Sequence, residues 1–265
     1  MEILRSSREI ELMRKPGLLV WQAHELAGSM VRPGVTTGEI DDVVSRFFEQ
    51  HGAIPLFKNV ANSVPGGPPF PAVTCISVNE EVVHGIPGPR QLKEGDIVSI
   101  DTGCRLGGWC GDAAATYTCG ELRPEVRRLV DVTRGVLDLA VEEMKRCEWW
   151  SHVAARMARY VKDHRMSVVE AFVGHGIGRE MHEDPQVPNF AGKKLKRNAD
   201  FRIQPGLVIA IEPMVNLGKK AVRCLADEWT QVTADGKPSA HFEHTIAVTE
   251  DGVRVLTAGP NGESW

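Results

Sequence analysis

Apolar and polar positions alternate along the chain with two periods, and these divide its 265 residues into helical and extended stretches. Ser6 with Glu9 has the form of a capping box, and helical apolar spacing runs from there toward Met30. Pro16-Gly17 lies inside this stretch and is expected to kink or divide it, since proline lacks an N–H and crowds the preceding turn. Thr36 with Glu39 forms a second box. It opens a helix from about Gly38 to Gln50, with Ile40, Val43, Val44, Phe47 and Phe48 on one face. Pro124 suits a first helical position, and the pattern behind it predicts a helix to about Lys145. Another is expected from Ser151 to near His164. The β-branched runs Val73–Val78, Ile97–Thr102, Leu207–Glu212 and Thr245–Thr249 read as strands, and the Pro/Gly-rich stretch Asn62–Pro71 reads as loop.

The order helix, helix, strands occurs twice, which directs attention to an internal repeat. Gly95-Asp-Ile-Val-Ser-Ile-Asp101 matches Gly206-Leu-Val-Ile-Ala-Ile-Glu212, with an acid closing each run. A His-Gly-Ile triplet precedes each, at His84 and His175, and a second acid follows each, at Asp112 and Glu243. One domain is expected over 1–265, with halves of roughly 1–122 and 123–265. A site on the axis between such halves receives side chains from both.

That repeat makes the acids the candidate chemistry. Leu106-Gly107-Gly108 is a turn signal, and a hairpin centred between Leu106 and Gly107 would set Asp101 opposite Asp112. Their Cβ atoms would then lie about 4.5–5.5 Å apart on one face. Two such carboxylates repel unless a cation lies between them, and hard oxygen ligands suit Mn²⁺, Fe²⁺, Co²⁺ or Zn²⁺. Glu212 closes a run that should be buried, and Glu243 sits between Phe242 and His244. His175 stands in Val173-Gly-His-Gly-Ile-Gly178, where glycines allow close backbone approach. Asp101, Asp112, His175, Glu212 and Glu243 are too many ligands for a lone zinc with an open position, and they fit a two-metal site.

Composition narrows the alternatives. A net charge of −4 argues against nucleic acid as substrate, and the cluster Lys193, Lys194, Lys196 and Arg197 reads as a solvated loop, with a ribosome contact as its functional alternative. Met1-Glu-Ile-Leu-Arg-Ser carries no apolar signal core, and no apolar run spans a membrane. The six cysteines form no C-x-x-C pair, as expected of free thiols in a cytoplasmic protein. H-E-x-x-H, G-x-S-x-G and a Walker loop are missing, which removes zincins, serine hydrolases and P-loop enzymes.

The motifs Thr74-Cys-Ile-Ser-Val-Asn79, Val83-His-Gly-Ile-Pro87, Gly95 to Asp101, Gly111-Asp112 and Gly174-His-Gly-Ile-Gly178 cover the first two thirds of a distinctive pattern. His182-Glu-Asp-Pro-Gln-Val187, Ile211-Glu-Pro-Met-Val-Asn216 and Phe242-Glu-His-Thr-Ile246 complete it. Together they make the chain resemble the type I methionine aminopeptidases over nearly its whole length. The resemblance implies an α/β (α+β) pita-bread fold, in which two pseudo-twofold-related halves share an antiparallel sheet flanked by helices. It implies two divalent ions (Co, Mn, Fe or Zn), bridged by Asp112 and Glu243, with Asp101 completing one coordination sphere and His175 and Glu212 the other. His84 and His182 would contact substrate, Glu212 would also shuttle a proton, and Cys75, Phe70 and Trp229 would line a methionine pocket. The implied substrate is the amino terminus of a nascent polypeptide, and a monomer is expected.

Departures from that family occur at the proline-rich Val64–Pro71, where an aromatic before Phe70 is missing, at Met181, in a basic stretch between Phe190 and Arg202, and at Arg146–Trp150. The rival readings are an Xaa-Pro peptidase sharing the ligand set, and a non-catalytic binding protein on the same fold. The first usually carries a further domain ahead of the residues equivalent to His84, and the second loses metal ligands.

Overall fold

A computed structural model describes residues 3–192 and 200–265, so the basic cluster Lys193–Arg197 lies outside the described residues. In chain order the elements are α1 (Ser7–Ser29), α2 (Thr37–Gln50), β1 (Ile54–Pro55), β2 (Cys75–Val78), β3 (Glu81–Val83), β4 (Asp96–Leu106) and β5 (Trp109–Cys119). There follow α3 (Pro124–Met144), α4 (Trp150–Asp163), β6 (Ser167–Val168), β7 (Gly174–Gly176), β8 (Glu183–Val187) and β9 (Val208–Ile211). The chain continues through β10 (Met214–Asn216), β11 (Val222–Cys224), β12 (Gln231–Thr233), β13 (Ser239–His241), β14 (Glu243–Thr249) and β15 (Gly252–Val255).

Both predicted capping boxes form: the Ser6 and Thr36 hydroxyls accept from the backbone N–H of Glu9 and Glu39, whose carboxylates accept from Ser6 and Thr36 in return. The helix bounds fall within two residues of those expected, and α3 does begin on Pro124. The division expected at Pro16 does not occur, because α1 runs through it as one helix. Tertiary contact outweighs the local penalty here. Pro16 and Gly17 are buried, and a Cβ on Gly17 would collide with the Leu256 carbonyl. Gly111 of β5 presses on the same spot, so the missing side chains let helix and sheet approach closely.

The main sheet has nine strands in the order β1-β4-β5-β14-β9-β7-β8, with β2 also on β4 and β15 also on β14. Helices cover it in two groups. Val20, Ala23 and Ala27 of α1 and Ile40, Val44 and Phe48 of α2 pack on Ile76, Val98 and Ile100, while α3 and α4 bury Leu129, Val136, Trp150 and Met157 against Ile209, Ile211 and Ile246. Burial of such side chains contributes about 1.5–3 kcal/mol each before entropy is charged against it. Two three-stranded sheets, β13-β10-β6 and β11-β12-β3, flank the main one. No helix among the described residues is long and apolar enough to cross a membrane.

The β4–β5 hairpin supplies the second correction. Its tip is Gly107-Gly108, with φ of 60° and 79°, and Leu106 pairs with Trp109. Two consecutive positive φ values make a two-residue turn whose twist matches the strands. The expected centre was one position too early, so Asp101 lies opposite Ala114 and Asp112 opposite Gly103. Asp101 and Asp112 are therefore diagonal neighbours, a relation of about 7–8 Å rather than 5 Å. The slip is an even number of residues, so both still project from one face.

Candidate metal centre

The register lays the candidates out across the sheet in lateral rows. Cys75 of β2 pairs with Asp101 of β4, Asp101 with Ala114 of β5, and Ala114 with Glu243 of β14. The small Ala114 leaves the middle of that row open, and Asp112, two residues back along β5, projects on the same side. Gly103 faces Asp112, and a Cβ there would stand 2.8 Å from Asp112 Oδ1, so the carboxylate occupies the space glycine vacates. In the next row His175 of β7 pairs with Ala210, which pairs with Thr245. The Thr245 hydroxyl accepts from Asp112 N–H at 3.1 Å and donates to the Asp112 carbonyl at 2.8 Å, joining this row to β5.

Ligand atoms of Asp112, His175 and Glu243 lie within 4.8 Å of one another, and Glu212 Oε1 lies 3.7 Å from His175 Nε2. Asp101 stands across Ala114 from Glu243. Burial pushes all four carboxyls above the usual range, and their mutual repulsion adds to it for Asp101, Glu212 and Glu243. Asp112 is raised by burial to about 8. Burial does the opposite to the imidazoles: His84 and His175 are each lowered to about 4, helped by His182, and His182 is lowered too.

These residues fit divalent metal. Asp101 Oδ1, Asp112 Oδ1 and Glu243 Oε1 are buried without a hydrogen-bond partner, an expensive state for carboxylate oxygens. No Lys or Arg lines the cavity among the described residues. His175 Nδ1 lies 3.0 Å from the Gly176 carbonyl, which only accepts, so the proton sits on Nδ1 and the Nε2 lone pair faces the acids. Oxygen ligands with one imidazole suit Mn²⁺, Fe²⁺, Co²⁺ or Zn²⁺.

Phe70, Cys75, His84, Asp101, Asp112, His175, His182, Glu212, Trp229 and Glu243, all singled out from the sequence, line one cavity of about 170 Å³. Phe57, Val60 and Met181 complete its wall. Phe57 and Val60 lie between β1 and β2, outside any periodic pattern, and nothing in the sequence marks them. Trp229 meets Phe70 edge-on at 5.2 Å, and its indole N–H donates to the Pro68 carbonyl at 2.9 Å. The proline-rich loop is thus tied to the pocket through Trp229. His84 has a φ of 61°, unusual for a residue with a side chain, and its ring meets Phe172 and Trp229 edge-on. His182 stands edge-on to His175 at 4.4 Å. Beyond the histidines the cavity opens into a groove bordered by Ala171, Phe172, Gln186 and His241.

A buried cluster of carboxylates and imidazole on a curled antiparallel sheet, beside an apolar pocket, defines a metallohydrolase, and the chain belongs to metallopeptidase family M24, whose model matches residues 11–250. Within that family it is similar to methionine aminopeptidase 1 of Bacillus subtilis (strain 168), at 45% identity over 97% of this chain and 99% of that protein. Methionine aminopeptidase B of Synechocystis is 41% identical over 96% of this chain and 91% of its own. The crystal structure of methionine aminopeptidase from Thermotoga maritima superposes with a TM-score of 0.89 at 40% identity, covering 97% of this chain and 99% of that one. A prolidase from Pyrococcus furiosus shares the fold alone, with a TM-score of 0.75 at 20% identity, and this chain spans 65% of it. The fold is the α/β pita-bread fold expected from the motifs.

Proposed function

We propose that this chain is a metal-dependent methionine aminopeptidase that removes the first methionine from nascent polypeptides. The observation that carries the reading is the junction of two features in one cavity. Within the one cavity, the acid and imidazole cluster meets an apolar wall formed by Phe57, Val60, Phe70, Cys75, Met181 and Trp229. Similarity to methionine aminopeptidases over 97% of the chain supports the same activity.

Asp112 and Glu243 would be shared by two ions, Asp101 would complete one sphere, and His175 and Glu212 the other. Bound divalent metal supplies Lewis acidity that activates a water and polarises the scissile carbonyl. The remaining work falls to the chain. The apolar pocket takes the methionine side chain. The acidic side of the cavity, where Asp101 adjoins Cys75, holds the free α-amino group and so restricts cleavage to the first residue. His182, kept neutral by burial, donates a hydrogen bond to the carbonyl oxygen as negative charge develops there. Glu212 takes a proton from the attacking water and passes it to the leaving amine. His84, fixed by Phe172 and Trp229, orients the peptide bond.

The test is release of free methionine from Met-Gly-Met-Met by chelator-stripped protein titrated with Mn²⁺, Co²⁺, Fe²⁺ or Zn²⁺, with Xaa-Pro peptides alongside. Metal-restored release of methionine alone is expected. Cleavage confined to bonds before proline would overturn the substrate, and turnover unaffected by chelation would overturn the metal. Asp112→Ala and Glu243→Ala should abolish turnover and lower metal stoichiometry together.

A further inference from the structure

Behind the ligand-bearing strands lies a second set of polar and aromatic side chains that the reaction does not use. Successive residues of a strand face opposite sides, so Glu243 points into the site while His244 points behind it. His244 is buried and held at both ring nitrogens: Nδ1 is 2.9 Å from Thr257 Oγ1 and Nε2 is 2.9 Å from Ser264 Oγ. A hydroxyl both donates and accepts, so either tautomer is satisfied. Thr257 Oγ1 also accepts from Thr245 N–H at 3.2 Å, and Thr245 is the residue that grips Asp112 at both its N–H and carbonyl.

β5 is held from behind in the same way. His24 of α1, fully buried, has Nε2 at 2.9 Å from the Ala113 carbonyl. The Trp265 indole N–H donates to the Ala114 carbonyl at 3.4 Å. Trp265 also joins the two sets of contacts: its ring stacks on His24 at 4.5 Å with 19° between planes, and lies 5.2 Å from His244. One aromatic side chain therefore spans the rear of both strands, behind the Ala114–Glu243 row.

We infer that Ser264 and Trp265 are positioning residues for the metal centre, holding the β5 and β14 backbones so that Asp112 and Glu243 keep their mutual geometry. The inference rests on reading those carboxylates as metal ligands. A liganding group set on two strands keeps its spacing only if the strands do. Ser264 and Trp265 touch no ligand side chain and act through His244 and the Ala114 carbonyl, so each should be worth about one buried hydrogen bond, about threefold to tenfold in metal affinity. Ser264→Ala removes the hydroxyl from His244 Nε2, and Trp265→Phe keeps the stacked ring while removing its N–H. Neither touches the cavity.

The experiment is calorimetric titration of Mn²⁺ into the chelator-stripped full chain, with thermal melts of the metal-free protein. Val161→Ala, a core truncation in α4, serves as the control for plain loss of stability. Both rear variants should bind Mn²⁺ about threefold to tenfold more weakly, while Val161→Ala loses melting temperature and keeps the wild-type Kd. The inference is overturned if both rear variants bind within about twofold of wild type, or if Val161→Ala weakens binding as much as they do. Wild-type protein that binds no Mn²⁺ would instead overturn the metal reading beneath it.

Discussion

On the assignment proposed above, removing divalent metal with a chelator leaves Asp101, Asp112, Glu212 and Glu243 crowded in a buried cavity, each with its carboxyl raised above the usual range. Asp112 moves from 3.8 to about 8 through burial. The sign follows from linkage: between those values the folded chain holds a proton that the unfolded chain has released, so stability falls as pH rises and levels off above the folded value. The buried histidines act in the opposite sense, losing stability as pH drops below the ordinary imidazole value of about 6.5. Those histidines stay partly protonated in the unfolded chain until about a unit above that value, so the window from pH 7.5 to 9 isolates the carboxyls. Each carboxyl fully protonated there costs about 1.4 kcal/mol per pH unit, and Asp112, half ionised at about 8, alone gives about 1 kcal/mol over the window. That corresponds to a fall of about 2 °C in melting temperature from Asp112 alone for a chain of 265 residues. The assay is a melt of chelator-treated and Mn²⁺-loaded protein at half-unit pH steps. The metal-free curve should fall across the window, and the loaded curve should stay nearly level because the acids are already ionised against the ion. A metal-free melting temperature that is flat or rising from pH 7.5 to 9 would refute the reasoning.

Gly103→Ala places a methyl 2.8 Å from Asp112 Oδ1 and 3.0 Å from the Gly111 carbonyl, so overpacking of about 1–3 kcal/mol should appear as an about fivefold or greater loss of Mn²⁺ affinity by calorimetry. Gly17→Ala drives a Cβ into the Leu256 carbonyl and should lower the urea midpoint by an equivalent of about 1–3 kcal/mol, leaving kcat per folded molecule unchanged. Trp229→Phe keeps the edge contact with Phe70 but loses the bond to Pro68, so KM for methionine peptides should rise about threefold to tenfold, the equivalent of roughly 1 kcal/mol, with kcat little altered.

Helix starts were legible in the sequence because their signals are local: Ser6/Glu9, Thr36/Glu39 and Pro124 act within one turn. The acids were legible because the repeat placed them in matching frames, and the structure gathers them with His84 and His175 around one cavity. What was not legible depends on contacts distant in sequence. Pro16 continues a helix because β5 and Leu256 close on it, and no residue near Pro16 announces them. Two adjacent glycines allowed more than one hairpin centre, and only the φ values at Gly107 and Gly108 choose between them. Phe57 and Val60 reach the cavity from irregular chain, where neither period applies. Ser264 and Trp265 carried no pattern at all, since their meaning lies in His244 and His24.

The parity of the β4–β5 hairpin bears on how this chain can change in length. Side chains on a strand alternate sides, so a residue inserted within the strands between Asp101 and Leu106, or between Trp109 and Asp112, must either swell into a bulge or turn one carboxylate toward the helices. At the tip the rule lapses. Gly107 has open space around it, and residues added between Gly107 and Gly108 would lengthen the turn and leave the pairing of Leu106 with Trp109 intact. A peptide tag or a small inserted domain therefore has a permissive entry point after Gly107, six residues from Asp101, while a single extra residue inside that strand must be absorbed as a bulge or move a carboxylate off the face of the cavity.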